Sequence, residues 1–341
     1  MKALRKVDAG PGLELVDVPV PAIRPDEILV KVFAGGICGT DLHIYEWDAW
    51  ARSRIHPPLT LGHEFCGTVV EIGAHVTTSS PGDFISGEGH LACGRCHACR
   101  TGSAHICENL QVIGVDRDGA FTEYVAMPAR NAWRLDETIP REVAAIMDPL
   151  GNAVHAALEV SLAAQNVVII GCGPIGLMAI PICHIAGAAL VAASDISEPR
   201  LALARRMGAD LVLDARTDDV PARLRKATGG QGVDVALEMS GHERGLRDGL
   251  RALRNGGWVS LLGLPRGETT LDLANEVIFK EAHLVGIFGR RIWRTWEQAT
   301  ALLRKGLDVT PVITHRLPME RFEDAFALLG STTAGKVILY V

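Results

Sequence analysis

Short apolar runs recur along the second half of the chain, at 167–170, 190–193, 211–213, 233–237, 258–262 and 284–288, with helix-period patterns between them. Runs of this length suit strands buried on both faces, and the intervening patterns suit amphipathic helices. Strands that alternate with helices predict right-handed crossovers and a parallel sheet covered on both faces. Six is the strand number of a complete dinucleotide-binding sheet.

Before residue 148 the pattern changes. Short strands, frequent Gly and Pro turns and little helical periodicity over 1–143 predict a mostly β domain, read as a partly open barrel. After Gly289 the pattern predicts helices near 293–305 and 320–329 and a last strand over 336–341. Periodicity alone assigns this tail to neither half.

The most membrane-like stretch, 167–193, is long enough to span a bilayer and holds only His184 as a strongly polar side chain. Gly171, Gly173, Pro174, Gly176, Pro181 and Gly187 divide it into a run, a turn, a helix and a second run. That is the profile of a buried βαβ unit, so no membrane helix is expected. Pro181 removes a backbone donor from the helix and predicts a kink. Residues 1–7 lack the apolar core of a secretory signal, and a cytoplasmic location is expected.

Composition narrows the partners. A chain of 341 residues, 48% hydrophobic and 22% charged with 36 glycines, reads as two soluble domains dense in tight turns. A net charge of −6 with no Lys/Arg-rich run argues against nucleic acid or an anionic membrane and leaves a small-molecule ligand.

Gly171-Cys172-Gly173-Pro174-Ile175-Gly176 follows a predicted strand and opens a predicted helix. Gly171 allows the tight turn, Gly173 the close approach of a pyrophosphate, and Gly176 the packing of helix on strand, with the helix N-terminus facing the phosphates. Asp195 ends the second strand, where a carboxylate can hold a ribose diol and repel a 2′-phosphate, which favours NAD over NADP. The plain alternative for Asp195 is a cap on the helix starting at Glu198.

Four of the eight cysteines, Cys93, Cys96, Cys99 and Cys107, lie at metal-ligand spacing. Four thiolates complete a tetrahedral sphere, so this lobe predicts a closed, structural zinc site. His97 and His105 are read as exposed loop residues, and Cys66, Cys172 and Cys183 as small buried hydrophobes. Upstream, Cys38, His63 and Glu64 offer three ligands and an open position, which a catalytic zinc requires. Two zinc ions per subunit are expected. Asp148 is a further candidate acid near the metal, with helix capping as its alternative.

In order and spacing, Cys38-Gly39-Thr40-Asp41, Gly62-His63-Glu64, the 93–107 lobe and 171–176 resemble the zinc-dependent medium-chain alcohol and polyol dehydrogenases, over essentially the whole chain. Within that family the stretches 43–48, 86–90, 148–155 and 289–291 are similar to those of members that oxidise the 3-hydroxyl of L-threonine. The resemblance implies a GroES-like catalytic domain over 1–147, to which 290–341 returns, with a Rossmann NAD-binding domain inserted over 148–289. It further implies a homotetramer, a catalytic zinc on Cys38, His63 and Glu64 with Asp148 close by, and a proton relay of Thr40 and His43. Ile175, Asp195, Arg200, Leu262, Gly263, Leu264, Ile287 and Phe288 match positions that line the NAD.

The implied reaction takes L-threonine to 2-amino-3-oxobutanoate. Zinc polarises the hydroxyl, hydride leaves for the nicotinamide, and Thr40 passes the hydroxyl proton through the nicotinamide ribose to His43. Glu88 or Asp148 would meet the substrate ammonium, and Arg291 or backbone amides its carboxylate. Glu88 and His90 read equally well as residues that order the loop ahead of the lobe. One rival is a polyol or 2,3-butanediol dehydrogenase with the same metal. The other is a non-catalytic zinc-stabilised NAD-binding protein, which would carry a broken catalytic set, whereas Cys38, Thr40, His43, His63 and Glu64 are all present.

Overall fold

In the computed structural model, which describes all residues except Arg266 and Thr332, the strand Glu27–Gly36 is the spine of a first unit. That unit comprises Met1–Asp148, Arg291–Trp296 and Ile313–Val341. Its largest sheet runs Ala132–Arg134, Phe84–Gly87, Glu64–Ile72, Glu27–Gly36, Lys336–Tyr340, Ile313–Pro318, and Tyr124–Pro128 also pairs with the spine. A smaller sheet joins Glu14–Asp17, Lys2–Lys6 and Leu59–Thr60.

Alternation along the spine explains its place: Ile28, Val30 and Val32 meet Phe65, Val69, Ile85 and Met127 in one apolar cluster. A second cluster gathers Leu4, Ile44, Leu61 and Phe121 with Phe326 and Val337 from the tail. Two helices interrupt this β-rich unit directly after the spine, α1 (Gly39–Glu46) and α2 (Ala49–Arg54). Little helical period marks this stretch of the chain because neither helix is long enough to repeat an apolar stripe.

The second unit, Pro149–Arg290 with Glu297–Val312, holds a six-stranded parallel sheet. Numbered along the chain, the strands Asn166–Ile170, Leu190–Asp195, Leu211–Asp214, Val233–Glu238, Leu253–Leu261 and His283–Gly286 lie side by side as 3-2-1-4-5-6. That is the order of a doubly wound dinucleotide fold. Val168, Ala192, Ala236 and Val259 are fully buried, as double-sided cover requires. The helix Pro174–Ile185 runs on through Pro181.

All six predicted strands are present, with shifted ends: the fifth starts at Leu253, across a register shift opposite Val233–Val235, and the sixth stops at Gly286. The tail divides differently from the expectation that 290–341 returns as a whole. Residues 297–312 belong to the second unit, where the turn Thr310–Val312 packs on the helices Pro174–Ile185 and Glu198–Arg206 and buries Val309 and Val312.

Candidate functional site

In the first unit, Cys38, His63 and Glu64 come together with one ligand atom from each lying within 4.8 Å of the others. Cys38 leaves the end of the spine and caps α1. Glu64 opens the adjacent strand, where it pairs with Gly36. Gly36 has no side chain for a reason: a Cβ there would stand 2.2 Å from Oε2 of Glu64. Gly62, at φ +96°, turns the chain into His63, and a Cβ would strike the Phe121 ring at 2.6 Å.

Two further side chains support the trio. Asp41 is fully buried; its Oδ2 accepts from the Cys38 amide at 2.9 Å and its Oδ1 lies 3.8 Å from Nδ1 of His63. Lys336, from the last strand, donates to Oε1 of Glu64 at 2.6 Å and to the Ile37 carbonyl at 2.8 Å. Burial disfavours a charged His63, yet the carboxylate of Asp41 and the sulfur of Cys38 outweigh it and raise the imidazole to about 10. Burial raises the Asp41 carboxyl against the pull of His63. The pocket is therefore rich in donor atoms: the buried Nδ1 of His63 faces the Asp41 carboxylate without a hydrogen bond, and Oε2 of Glu64 faces the Lys336 ammonium. A sulfur, an imidazole and a carboxylate converging in such a pocket fit a zinc ion with a vacant fourth position.

Asp148, in the first turn of Met147–Ala157, is buried and close enough to favour the charged forms of His63 and Lys336. It is not among the converging ligand atoms. Thr40 and His43 lie three residues apart on one face of α1, and Oγ1 of Thr40 is 3.8 Å from Sγ of Cys38. Glu88 is fully buried with both oxygens engaged: Oε1 accepts from the His90 amide and Oε2 from Nε1 of Trp296, each at 2.7 Å. It orders its loop from a fully buried position.

Cys93, Cys96, Cys99 and Cys107 form the other cluster, also with one sulfur from each within 4.8 Å. The amide of Cys93 donates to Sγ of Cys107 at 3.3 Å, as does that of Asn109. Backbone amides of Arg95 and Cys96 pull the Cys93 thiol down to about 6, while burial pushes Cys99 up to about 12. A lobe that arranges N–H donors around four sulfurs fits a thiolate-bound zinc. His97 and His105 take no part in the cluster, and His105 is buried in the turn Ala104–Ile106, not exposed as expected.

In the second unit, the predicted cofactor residues gather at the carboxyl ends of the parallel strands. Gly171, at φ +95°, would carry a Cβ 2.7 Å from the Ser240 amide, and a Cβ on Gly176 would stand 2.0 Å from the Gly171 carbonyl. At Gly173 a Cβ would meet nothing within 4 Å, so the protein's own packing does not ask for glycine there. The open space at this helix N-terminus fits the close approach of a dinucleotide. Asp195 binds both the Cys172 amide, 2.7 Å from Oδ2, and the Ser197 amide, 2.8 Å from Oδ1, so it braces the glycine turn besides ending its strand.

The amides of Leu262 and Gly263 donate to the Glu238 carbonyl at 2.9 and 3.0 Å. Leu264 is exposed, Ile287 buried beside the Leu261 carbonyl, and Phe288 exposed. Ile175 lies in the first turn of the helix after the glycines, and Arg200 in that of the helix after Asp195.

Residues 24–137 match the family model for an alcohol dehydrogenase GroES-like domain, and residues 174–305 that for a zinc-binding dehydrogenase. The chain belongs to the zinc-binding alcohol dehydrogenase family. A family member from Symbiobacterium thermophilum, an L-threonine 3-dehydrogenase, is 50% identical over 341 residues, 99% of this chain and 97% of that protein. Another L-threonine 3-dehydrogenase, from Bacillus velezensis, is 47% identical over 99% of this chain and 98% of its own length. The crystal structure of galactitol-1-phosphate dehydrogenase from Escherichia coli superposes over 100% of both chains, with a TM-score of 0.91 and 29% identity. The GroES-like and Rossmann-type architecture of the family is thus the architecture of this chain.

Sequence reasoning did not find the supporting shell of the site. Asp41 lies three residues past Cys38, yet its contact with His63 joins the start of α1 to the residue just before the strand Glu64–Ile72. Lys336 carried no signal at all, being 272 residues from Glu64.

Proposed function

We propose that this enzyme oxidises L-threonine at its 3-hydroxyl with NAD, giving 2-amino-3-oxobutanoate and NADH. The support for the chemistry is the incomplete donor trio of Cys38, His63 and Glu64 beside Thr40. The support for the substrate is the identity with L-threonine 3-dehydrogenases along the whole chain, against 29% for a dehydrogenase of a polyol phosphate.

One zinc ion on Cys38, His63 and Glu64 would act as a Lewis acid that lowers the pKa of the substrate hydroxyl, and a second, on the four-cysteine lobe, would be structural. Thr40 accepts the hydroxyl proton, and His43, one helical turn on, delivers it to solvent. Bound NAD would supply the two-electron acceptor for the hydrogen on C3, so that with the proton taken by Thr40 the alcohol loses two electrons and two hydrogens. We assign the substrate ammonium to Asp148, the acid whose field reaches His63 beside the donor trio. The NAD preference rests on the Asp195 carboxylate at the second strand end, with Gly171, Gly173, Ile175, Gly176, Arg200, Leu262, Gly263, Leu264, Ile287 and Phe288 as the remaining cofactor-lining residues.

We also read the protein as a cytoplasmic homotetramer. Its eight cysteines are unpaired, which suits a reducing compartment, and no helix among the described residues is long and apolar enough to cross a membrane. Assembly is supported by the open edge of the strand His283–Gly286 and by exposed Leu273, Ile278 and Phe279 just before it.

The test is NADH formation by the zinc-loaded protein with L-threonine, sorbitol and 2,3-butanediol in parallel, with NAD and then NADP. We expect rapid reduction of NAD by L-threonine, lost on zinc removal. Turnover only with a diol or polyol would overturn the substrate and keep the mechanism. No turnover with any of the three would favour the non-catalytic reading.

A further inference from the structure

His43 and Asp48 stand on either side of a left-handed turn. Trp47, at φ 56° and ψ 49°, closes α1. The reversal lets the Asp48 amide donate to the carbonyl of His43 at 3.3 Å and makes Asp48 the N-cap of α2, where Oδ1 accepts from the Ala51 amide at 2.9 Å. The second oxygen, Oδ2, lies 2.7 Å from Nδ1 of His43. The Trp50 ring packs edgewise on the imidazole, with centroids 6.2 Å apart and planes at 60°.

Asp48 therefore does two things with one carboxylate: it starts α2 and it holds Nδ1 of His43. Among the described residues no other acid lies within 4.0 Å of that ring. Arg52 and Arg54 on α2, and Arg321 at the helix Phe322–Gly330 that packs on α1, are engaged elsewhere, with the Trp47 carbonyl, Asp116 and Asp324 respectively. The Ala51 amide, helped by His43, holds the Asp48 carboxyl below its ordinary value, so near neutrality it is an acceptor only.

A neutral imidazole has one N–H and one lone pair. Opposite a carboxylate the N–H belongs on Nδ1. We propose that Asp48 is the positioning residue of the proton relay, fixing the Nδ1–H tautomer of His43 so that Nε2 is the nitrogen that takes the proton on its way to solvent. The bookkeeping of protons closes on His43 itself: Nε2 gains the proton, the imidazolium keeps Nδ1–H on Asp48, and Nε2–H is then released to water. The inference rests on the reading of Thr40 and His43 as the relay.

The experiment is solid-state 15N NMR of the zinc-loaded enzyme labelled at histidine, with His43 assigned by its loss in His43→Gln, alongside steady-state kinetics. In Asp48→Asn the amide oxygen keeps the cap on Ala51 and turns an NH2 donor toward Nδ1, which demands the opposite tautomer. We expect Nδ1–H in the wild type and Nε2–H in the variant. The kcat with L-threonine should fall on the order of tenfold, a fraction of what a general base contributes, while the KM for NAD and the melting temperature stay unchanged.

Asp48→Ser caps as well but offers Nδ1 no partner, and should give mixed tautomers and an intermediate loss. The same tautomer in wild type and Asp48→Asn, or inversion without any change in kcat while His43→Gln is impaired, overturns the inference alone. Wild-type turnover in His43→Gln removes the relay reading, and the role of Asp48 with it.

Discussion

Lys336 and Glu64 form an ion pair across 272 residues of sequence, with Nζ 2.6 Å from Oε1 and both side chains almost wholly buried, at 4% and 1% exposure. Burial works against the ammonium, but the Glu64 carboxylate outweighs it and holds Lys336 above its ordinary value. Lys336→Met leaves a buried acid without its counter-charge and should cost about 3–5 kcal/mol. Urea denaturation of the zinc-free protein, wild type against variant, measures this. A loss below about 1 kcal/mol would mean that the carboxylate has another partner in the folded protein.

Thr40→Val removes the hydroxyl that stands 3.8 Å from the Cys38 sulfur and leaves the shape of α1. Turnover should fall by about a hundredfold or more, the range of a lost proton-transfer group. NAD affinity, read by fluorescence titration, should hold. Unchanged turnover would take Thr40 out of the relay.

Cys96→Ser breaks the four-sulfur cluster without touching Cys38, His63 or Glu64. Metal analysis should find two zinc ions per wild-type chain and one per variant chain, together with a lower melting temperature, because structural zinc contributes folding free energy directly. A wild-type content of one would contradict the two-zinc reading.

Asp195→Ser removes the charge at the end of the second strand while keeping a small polar side chain near the Cys172 amide. The ratio of kcat/KM for NADP to that for NAD should rise about tenfold or more, since the repulsive element against the 2′-phosphate is gone. An unchanged ratio would shift the coenzyme preference onto other residues.

Glu142 is held below its ordinary 4.5 mainly by Arg316, at 2.7 and 2.8 Å, with help from Tyr340. A depressed carboxyl stabilises the fold above its unfolded value and loses that contribution as pH falls through the folded value. The protein should therefore lose stability as pH drops below about 4.5, and Glu142→Gln should lose less over the same span. The groups are partly exposed, so the difference should stay under about 1 kcal/mol. Melting temperatures at pH 6 and pH 4 for both proteins decide it, and identical drops would assign the acid sensitivity elsewhere.

Much of this was legible along the chain because the signals are local. The strand, glycine turn and helix at 166–185 announce themselves within twenty residues, and the structure places Gly171, Gly173 and Gly176 as that grammar requires. The cysteine lobe is legible for the same reason, its four sulfurs lying within fifteen residues. Cys38, His63 and Glu64 were individually weak, and only the pairing of the spine with the strand Glu64–Ile72 turns them into one cluster.

The sequence by itself determined the alternation of strands and helices, the glycine turn and which side chains are candidate metal ligands. Those depend on spacing and on what each residue type can donate. Tertiary structure decided what surrounds them. Asp41 meets His63, Lys336 meets Glu64, Trp296 occupies Glu88, and 297–312 packs with the nucleotide unit. These are contacts between residues far apart in the chain, set by sheet order and packing, and no local pattern encodes which distant side chain will satisfy a buried charge.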